Sequence, residues 1–231
     1  MIGQTVIFRI IRYKPGVIDP PRFQEFEINI RSEMTVLEGL DEIRLTRDAG
    51  LMYRHCCHHA SCGTCACMIN GAPALACITR IVDLNTDVIN LAPLENHPCL
   101  GDLAVDVAGF FQQIDAHWTN HRPCRDASAQ RTPQGVNRLL RFENCIECGC
   151  CVAACPEVSD PTQFLGPAVL AALNNERQNR PDRKELLLEI AAGPRGAAQC
   201  RRHLACSRVC PAAVFPARHI ADLQREIKNL K

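Results

Sequence analysis

The spacing of the cysteines constrains this chain more than any other feature. Cys57, Cys62 and Cys65 form C-x4-C-x2-C, and Cys77 follows after eleven intervening residues. This is the plant-type spacing for a [2Fe–2S] cluster. A tight loop wraps one side of a flat cluster, Gly63 lets backbone N–H groups approach the sulfides, and a distant strand end supplies the last thiolate. Zinc is the competing reading. A zinc site needs four ligands at about 2.3 Å around one ion, usually from two compact C-x2-C knuckles. Within this group only Cys62 and Cys65 form such a knuckle.

A second run, Cys145, Cys148, Cys151 and Cys155 before Pro156, reads C-x2-C-x2-C-x3-C-P. That is the bacterial ferredoxin run, whose fourth cysteine ligates the other cluster when two are present. Cys155 is therefore expected to leave this set, and a remote cysteine to replace it. The third run supplies one. Cys200, Cys206 and Cys210 before Pro211 follow the same template, with His203 at the second ligand position. By the crossover rule, Cys210 completes a [4Fe–4S] set with Cys145, Cys148 and Cys151. Cys155, Cys200 and Cys206 are left, and three thiolates suit a [3Fe–4S] cluster. A second option stays open, in which His203 binds a fourth iron; a third makes it a surface or hydrogen-bonding histidine.

These sets leave Cys56, Cys67, Cys99, Cys124 and Cys150 out of the 16 cysteines. Each is expected to be a small buried residue, the usual fate of free cysteine. A disulfide scaffold would need a secreted chain. The N-terminal MIGQTVIFRIIRYK has no signal pattern, and metal sites in a reducing compartment fit the clumped spacing better. The lack of a transit-like leader points to a prokaryotic chain. A net charge of +1 and 5% aromatic residues give no argument for a nucleic-acid partner. No run of 18 apolar residues exists to span a bilayer; at a membrane the chain would dock onto something that does.

The chain reads as α+β in two halves, 1–105 and 106–231. Thr5–Tyr13 and Phe23–Ile30 alternate with period two, as strands do. Thr35–Thr46 carries Val36, Leu37, Leu40 and Ile43 at helical spacing. Ala74–Val82 and Asp87–Leu94 read as short strands, giving the order of a small β-grasp sheet. The second half reads as helical, with Asp102–Trp118, Phe164–Gln178, Lys184–Ala192 and Ala217–Leu230 as helices. His121–Gln134 reads as a linker loop.

A β-grasp plant-type ferredoxin domain followed by an all-α, two-cluster bacterial-type ferredoxin domain resembles the iron–sulfur subunit of succinate dehydrogenases and fumarate reductases. Met68-Ile-Asn-Gly71, Leu75-Ala-Cys77, Gly101-Asp-Leu103 and Phe164-Leu-Gly-Pro167 support the resemblance over nearly the whole chain. The resemblance implies an FAD-containing flavoprotein partner that interconverts succinate and fumarate. It also implies membrane-anchor subunits that bind quinone and can carry haem b, and a peripheral place on the cytoplasmic face of a prokaryotic inner membrane. Electrons would pass from flavin through the [2Fe–2S], [4Fe–4S] and [3Fe–4S] clusters to quinone, or the reverse, with no substrate-converting residue in this chain. Two departures mark the quinone end. Many relatives carry a pair of tryptophans just after the C-P of the second run, where Glu157-Val-Ser stands here. Arg201 stands where relatives have a histidine. Arg201 and His203 are candidates for the quinone or anchor end, against the alternative of a solvated basic face. The iron–sulfur subunit of a related flavin dehydrogenase or of a thiol-linked fumarate reductase, with a non-quinone partner, is the other functional reading.

Overall fold

The computed structural model describes residues 5–107, 109, 144–159 and 163–229. Its contacts divide the chain into two units, Met1–Val107 with Ile146–Ala154, and Ala108–Cys145 with Cys155–Lys231.

In the first unit, β1 (Thr5–Lys14) and β2 (Ile18–Asn29) pair antiparallel, from Thr5 opposite Asn29 to Arg12 opposite Arg22. Helix α1 (Val36–Thr46) follows, then β3 (Ala66–Ile69), β4 (Ala72–Leu75) and β5 (Val88–Ala92). The sheet order is β2-β1-β5-β3-β4, and β5 runs parallel to β1. A parallel pair needs a long crossover, and α1 lies within it. Val6, Phe8 and Ile10 alternate into the core with Val36, Leu37, Leu40 and Ile43 of α1. The approach is close at Gly39, where a Cβ would stand 2.5 Å from the Phe8 ring.

Thr35 caps α1. The Glu38 N–H donates to Thr35 Oγ1 at 3.2 Å, and the Thr35 N–H donates to Glu38 Oε2 at 2.7 Å. This capping box satisfies two donors that the helix start leaves open. Thr35→Ala is expected to lower stability by about 1 kcal/mol, read from the midpoint of denaturant unfolding.

Two sequence expectations change here. The strand expected over Ala74–Val82 stops at Leu75, because the Ile78 and Thr79 N–H groups both turn back onto the Leu75 carbonyl. A 3-10 turn over Ile81–Leu84 follows. The helix expected from Asp102 does not begin there. Asp102 and Leu103 form a turn between β6 (Cys99–Gly101) and β7 (Ala104–Val105). Residues 110–118 of that stretch, the His121–Gln134 loop and Cys124 lie outside the described residues. The turn is held by a buried network. Arg12 Nε donates to Asp102 Oδ1 at 3.1 Å, as does the Tyr13 N–H at 2.9 Å, and the Met52 N–H donates to Asp102 Oδ2 at 2.9 Å. Arg12 also donates to Asp48 at 2.6 Å. The short helix α2 (Cys150–Ala153) completes this unit.

In the second unit, α3 (Gly166–Asn179), α4 (Lys184–Ala192) and α6 (Pro216–Asn229) pack on one another, and the short α5 (Ala205–Arg208) packs on α6. Ala171, Ala172 and Val214 form a buried cluster against which Cys145 and Cys210 pack. Among the described residues no helix is long and apolar enough to cross a membrane. His219 is buried on α6, and the Asn174 amide donates to its Nδ1 at 3.0 Å. Burial holds its pKa down at about 4. The fold therefore keeps His219 neutral, while the unfolded chain takes up a proton near pH 6.5. This contribution is complete above pH 6.5 and is lost as pH falls from there toward 4. It amounts to roughly 3 kcal/mol, and denaturant midpoints measured across that range are expected to lose the slope in His219→Gln.

Candidate metal centres

The loop from Cys57 to Cys65 aims its backbone at sulfur. The Ser61 and Cys62 N–H groups donate to Cys57 Sγ at 3.2 and 3.3 Å, and the His59 N–H at 3.5 Å. The Ala60 N–H donates to Cys77 Sγ at 3.4 Å, and Thr64 Oγ1 to Cys62 Sγ at 3.1 Å. Left-handed φ angles at His58 (61°), Ala60 (60°) and Gly63 (68°) turn these N–H groups inward, in the manner of backbone nests that hold anionic centres. The His59 N–H, followed by those of Cys62 and Ser61, draws the Cys57 thiol down to about 7. Burial pushes Cys65, at the mouth of β3, up to about 12, and the nearby Cys77 and Cys62 sulfurs add to it. Four sulfurs gathered so closely repel one another as thiolates. A cationic iron pair relieves that repulsion, so the residues fit the cluster that their spacing implies.

The second run is divided. Cys148 and Cys151 belong to the first unit, Cys145 and Cys210 to the second. Cys148 sits between two left-handed residues, Glu147 (φ 55°) and Gly149 (φ 80°). The Cys150 thiol donates to Cys148 and draws its pKa down to about 7, while that same bond and burial drive Cys150 strongly up. In the second unit the Val214 N–H donates to Cys210 Sγ at 3.3 Å, between left-handed Ala213 and Phe215.

Cys155, Cys200 and Cys206 line one small cavity with Phe164, Pro167 and Ile220. Burial, then the charges of Cys155 and Cys200, push Cys206 up to about 11. Gln224 on α6 holds the Cys200 carbonyl at 3.4 Å and that of Ala197 at 2.8 Å. His203 lines the same cavity, but its Nε2 lies 2.8 Å from Glu157 Oε1. Arg201 reaches the other Glu157 oxygen at 3.6 Å, and Arg208 donates to the His203 carbonyl at 2.8 Å. Among the described residues no three His, Cys, Asp or Glu side chains converge as ligands of one ion would. Thiolates that bind different irons of a cluster stand further apart than that.

Of the cysteines outside the three sets, Cys67 and Cys150 are buried as expected. Cys99 is half-buried, with its Sγ 3.6 Å from the Asp102 carbonyl. Cys56 is exposed, because it precedes the inward-turning loop on a bend that faces solvent.

A family model described as a 2Fe-2S iron-sulfur cluster binding domain matches residues 7–112, and one described as a 4Fe-4S dicluster domain matches residues 141–214. The fumarate reductase iron-sulfur subunit of Mycobacterium tuberculosis (strain CDC 1551 / Oshkosh) is 32% identical over 222 residues, covering 92% of this chain and 88% of the relative. This chain belongs to the family of fumarate reductase and succinate dehydrogenase iron–sulfur subunits. The Wolinella succinogenes fumarate reductase iron-sulfur subunit is also 32% identical and covers 99% of this chain and 100% of the relative. The succinate dehydrogenase iron-sulfur subunit of Coxiella burnetii is 29% identical over 95% of this chain and 96% of the relative. The family fold is shared with a chain of the Mycobacterium smegmatis Sdh1 complex in the apo form, at a TM-score of 0.83 and 23% identity, covering 99% of this chain and 98% of that one. As an iron–sulfur subunit of this family, the chain is a component of an oxidoreductase complex, with a [2Fe–2S] domain followed by a [4Fe–4S] dicluster domain.

Proposed function

We propose that this subunit relays electrons between the FAD of a flavoprotein subunit and quinone held by a membrane anchor, so that the complex couples succinate and fumarate to quinone and quinol. In this reading a domain over 1–105 holds a [2Fe–2S] cluster on Cys57, Cys62, Cys65 and Cys77. A domain over 106–231 holds a [4Fe–4S] cluster on Cys145, Cys148, Cys151 and Cys210, and a [3Fe–4S] cluster on Cys155, Cys200 and Cys206. The observation that carries the reading is the abutment of the first cysteine loop on the second run. A Cβ on Gly63 would stand 2.5 Å from the Ile146 carbonyl and 2.9 Å from Cys148 Cα. Two redox centres held in backbone contact form a path.

When bound, the clusters take up and release single electrons. The chain's own residues set how readily they do so. N–H groups aimed at Cys57, Cys77 and Cys210 stabilise negative charge on sulfur, and buried positions such as Cys65 and Cys206 exclude water; both act on reduction potential. His203 is engaged by Glu157, which favours three thiolates over histidine ligation at the third centre. Arg201 and His203 stand at the exposed rim of that centre, where ring and guanidinium N–H groups can hydrogen-bond a quinone oxygen or a haem propionate of the anchor. The subunit would then lie peripherally on the cytoplasmic face of the inner membrane.

EPR of the purified complex tests the assignment. The oxidised complex is expected to show a three-iron signal that persists in His203→Ala, while quinone kinetics change in Arg201→Ala. A four-iron third centre that depends on His203 would overturn the [3Fe–4S] assignment. Unchanged quinone kinetics in both variants would overturn the role of the rim.

A further inference from the structure

We propose that Asn96, together with Gly63, is a positioning residue that fixes the separation between the first and second clusters. The proposal rests on the ligand assignment above and concerns only the first unit, where the segment Ile146–Ala154 is gripped at both ends.

At one end is Gly63, at φ 68°, between the ligands Cys62 and Cys65. Its missing Cβ is what admits the Ile146 carbonyl and Cys148 Cα. At the other end is Asn96, on the turn after β5. Its side-chain amide donates to the Val152 carbonyl at 3.0 Å and to the Ala153 carbonyl at 3.4 Å. These are the last carbonyls of α2, whose C-cap Ala154 N–H reaches the Val152 carbonyl as well. Asn96 itself is left-handed, at φ 60°, a conformation that asparagine tolerates better than most residues. Between the two ends, His97 packs on Gly149, where a Cβ would stand 2.9 Å from its Nε2. Cys148 lies inside this grip.

Backbone contact and two fixed hydrogen bonds therefore set the distance from the Cys62–Cys65 loop to Cys148. Interiors packed in this way do not stretch to absorb a change. Electron transfer between centres falls steeply with their separation, so a small loosening reaches the rate before it reaches the binding of either cluster.

The test uses the full chain loaded with its clusters and two variants that separate donation from strain. Asn96→Gly removes the side chain but keeps the left-handed backbone at ease. Asn96→Asp keeps the shape and cannot donate. Both are expected to retain parental iron and sulfide content and each cluster's own EPR signal. The relaxation of the first-cluster signal by the reduced second cluster is expected to weaken, because magnetic coupling falls with the inverse cube of distance. Electron equilibration after a photoreductant pulse is expected to slow several-fold. Gly63→Ala is expected to do the same or more, with the added strain of a Cβ at positive φ. Parental relaxation and rate in both Asn96 variants would overturn the proposal. Loss of a cluster signal in both would also overturn it, since Asn96 would then be structural. Absence of first- or second-cluster signals in the parent chain would instead overturn the ligand assignment.

Discussion

Asp102→Ala is expected to remove about 3–5 kcal/mol of stability, because it breaks a buried ion pair by deleting one partner. Arg12 is 1% exposed and Asp102 is wholly buried. Without the carboxylate, the guanidinium keeps Asp48 and Gln24 as side-chain partners among the described residues. The backbone N–H groups of Tyr13 and Met52 also lose their acceptor, and each buried donor left open adds its own penalty. Those groups belong to β1 and to the approach to the first cysteine loop, so the loss loosens the frame of the first cluster. Asp102→Asn keeps an acceptor oxygen and the left-handed turn, and is expected to be the milder change. Urea unfolding of the loaded chain, followed by circular dichroism and by cluster absorbance, measures both. A loss under about 1 kcal/mol for Asp102→Ala would place the pair among surface ion pairs in its effect.

Cys65→Ala is expected to abolish the first cluster's EPR signal and visible absorbance and to bring quinone reduction by the assembled complex down to background. Dye-linked oxidation of succinate at the flavoprotein is expected to continue. Cys65 is buried immediately before β3. The third centre, whose cysteines all lie in the other unit, is expected to keep its signal, which separates loss of one cluster from loss of the fold. Cys56→Ala is the matched control. It removes a neighbouring exposed thiol and is expected to leave the first-cluster signal intact; a lost signal there would mean that the ligand register is shifted by one.

The parts of the fold legible in the sequence were those with a long period. Lys184–Ala192 agrees at both ends, and α1 begins immediately after its Thr35 cap. β3 carried no such mark. All four of its residues are buried, so its two faces do not differ and no alternation arises. The turn after Leu75 was hidden because the Ile78–Val82 stretch has strand-like composition while its N–H groups answer to Leu75 and Met34 instead of a neighbouring strand. Asp102 read as the start of a helix, and a buried arginine far away in sequence claimed it. The proposed ligand positions were read from spacing alone. The loop shape was not, since His58, Ala60, Arg202 and Leu204 adopt left-handed conformations that side chains of those types do not advertise. Nor was the grip of Asn96 on α2, which joins residues that only the fold brings together.

The membership of Ile146–Ala154 in the first unit bears on biosynthesis. A ribosome that has released Val107 has not yet made the piece that covers Gly63 and accepts from Asn96. The nascent N-terminal unit therefore waits, with its first cysteine loop uncovered, until the chain has been extended through Ala154. Through that interval the loop that carries Cys57, Cys62 and Cys65 stays open on the side of Gly63. Once the late segment docks, the loop is covered on the side of Gly63.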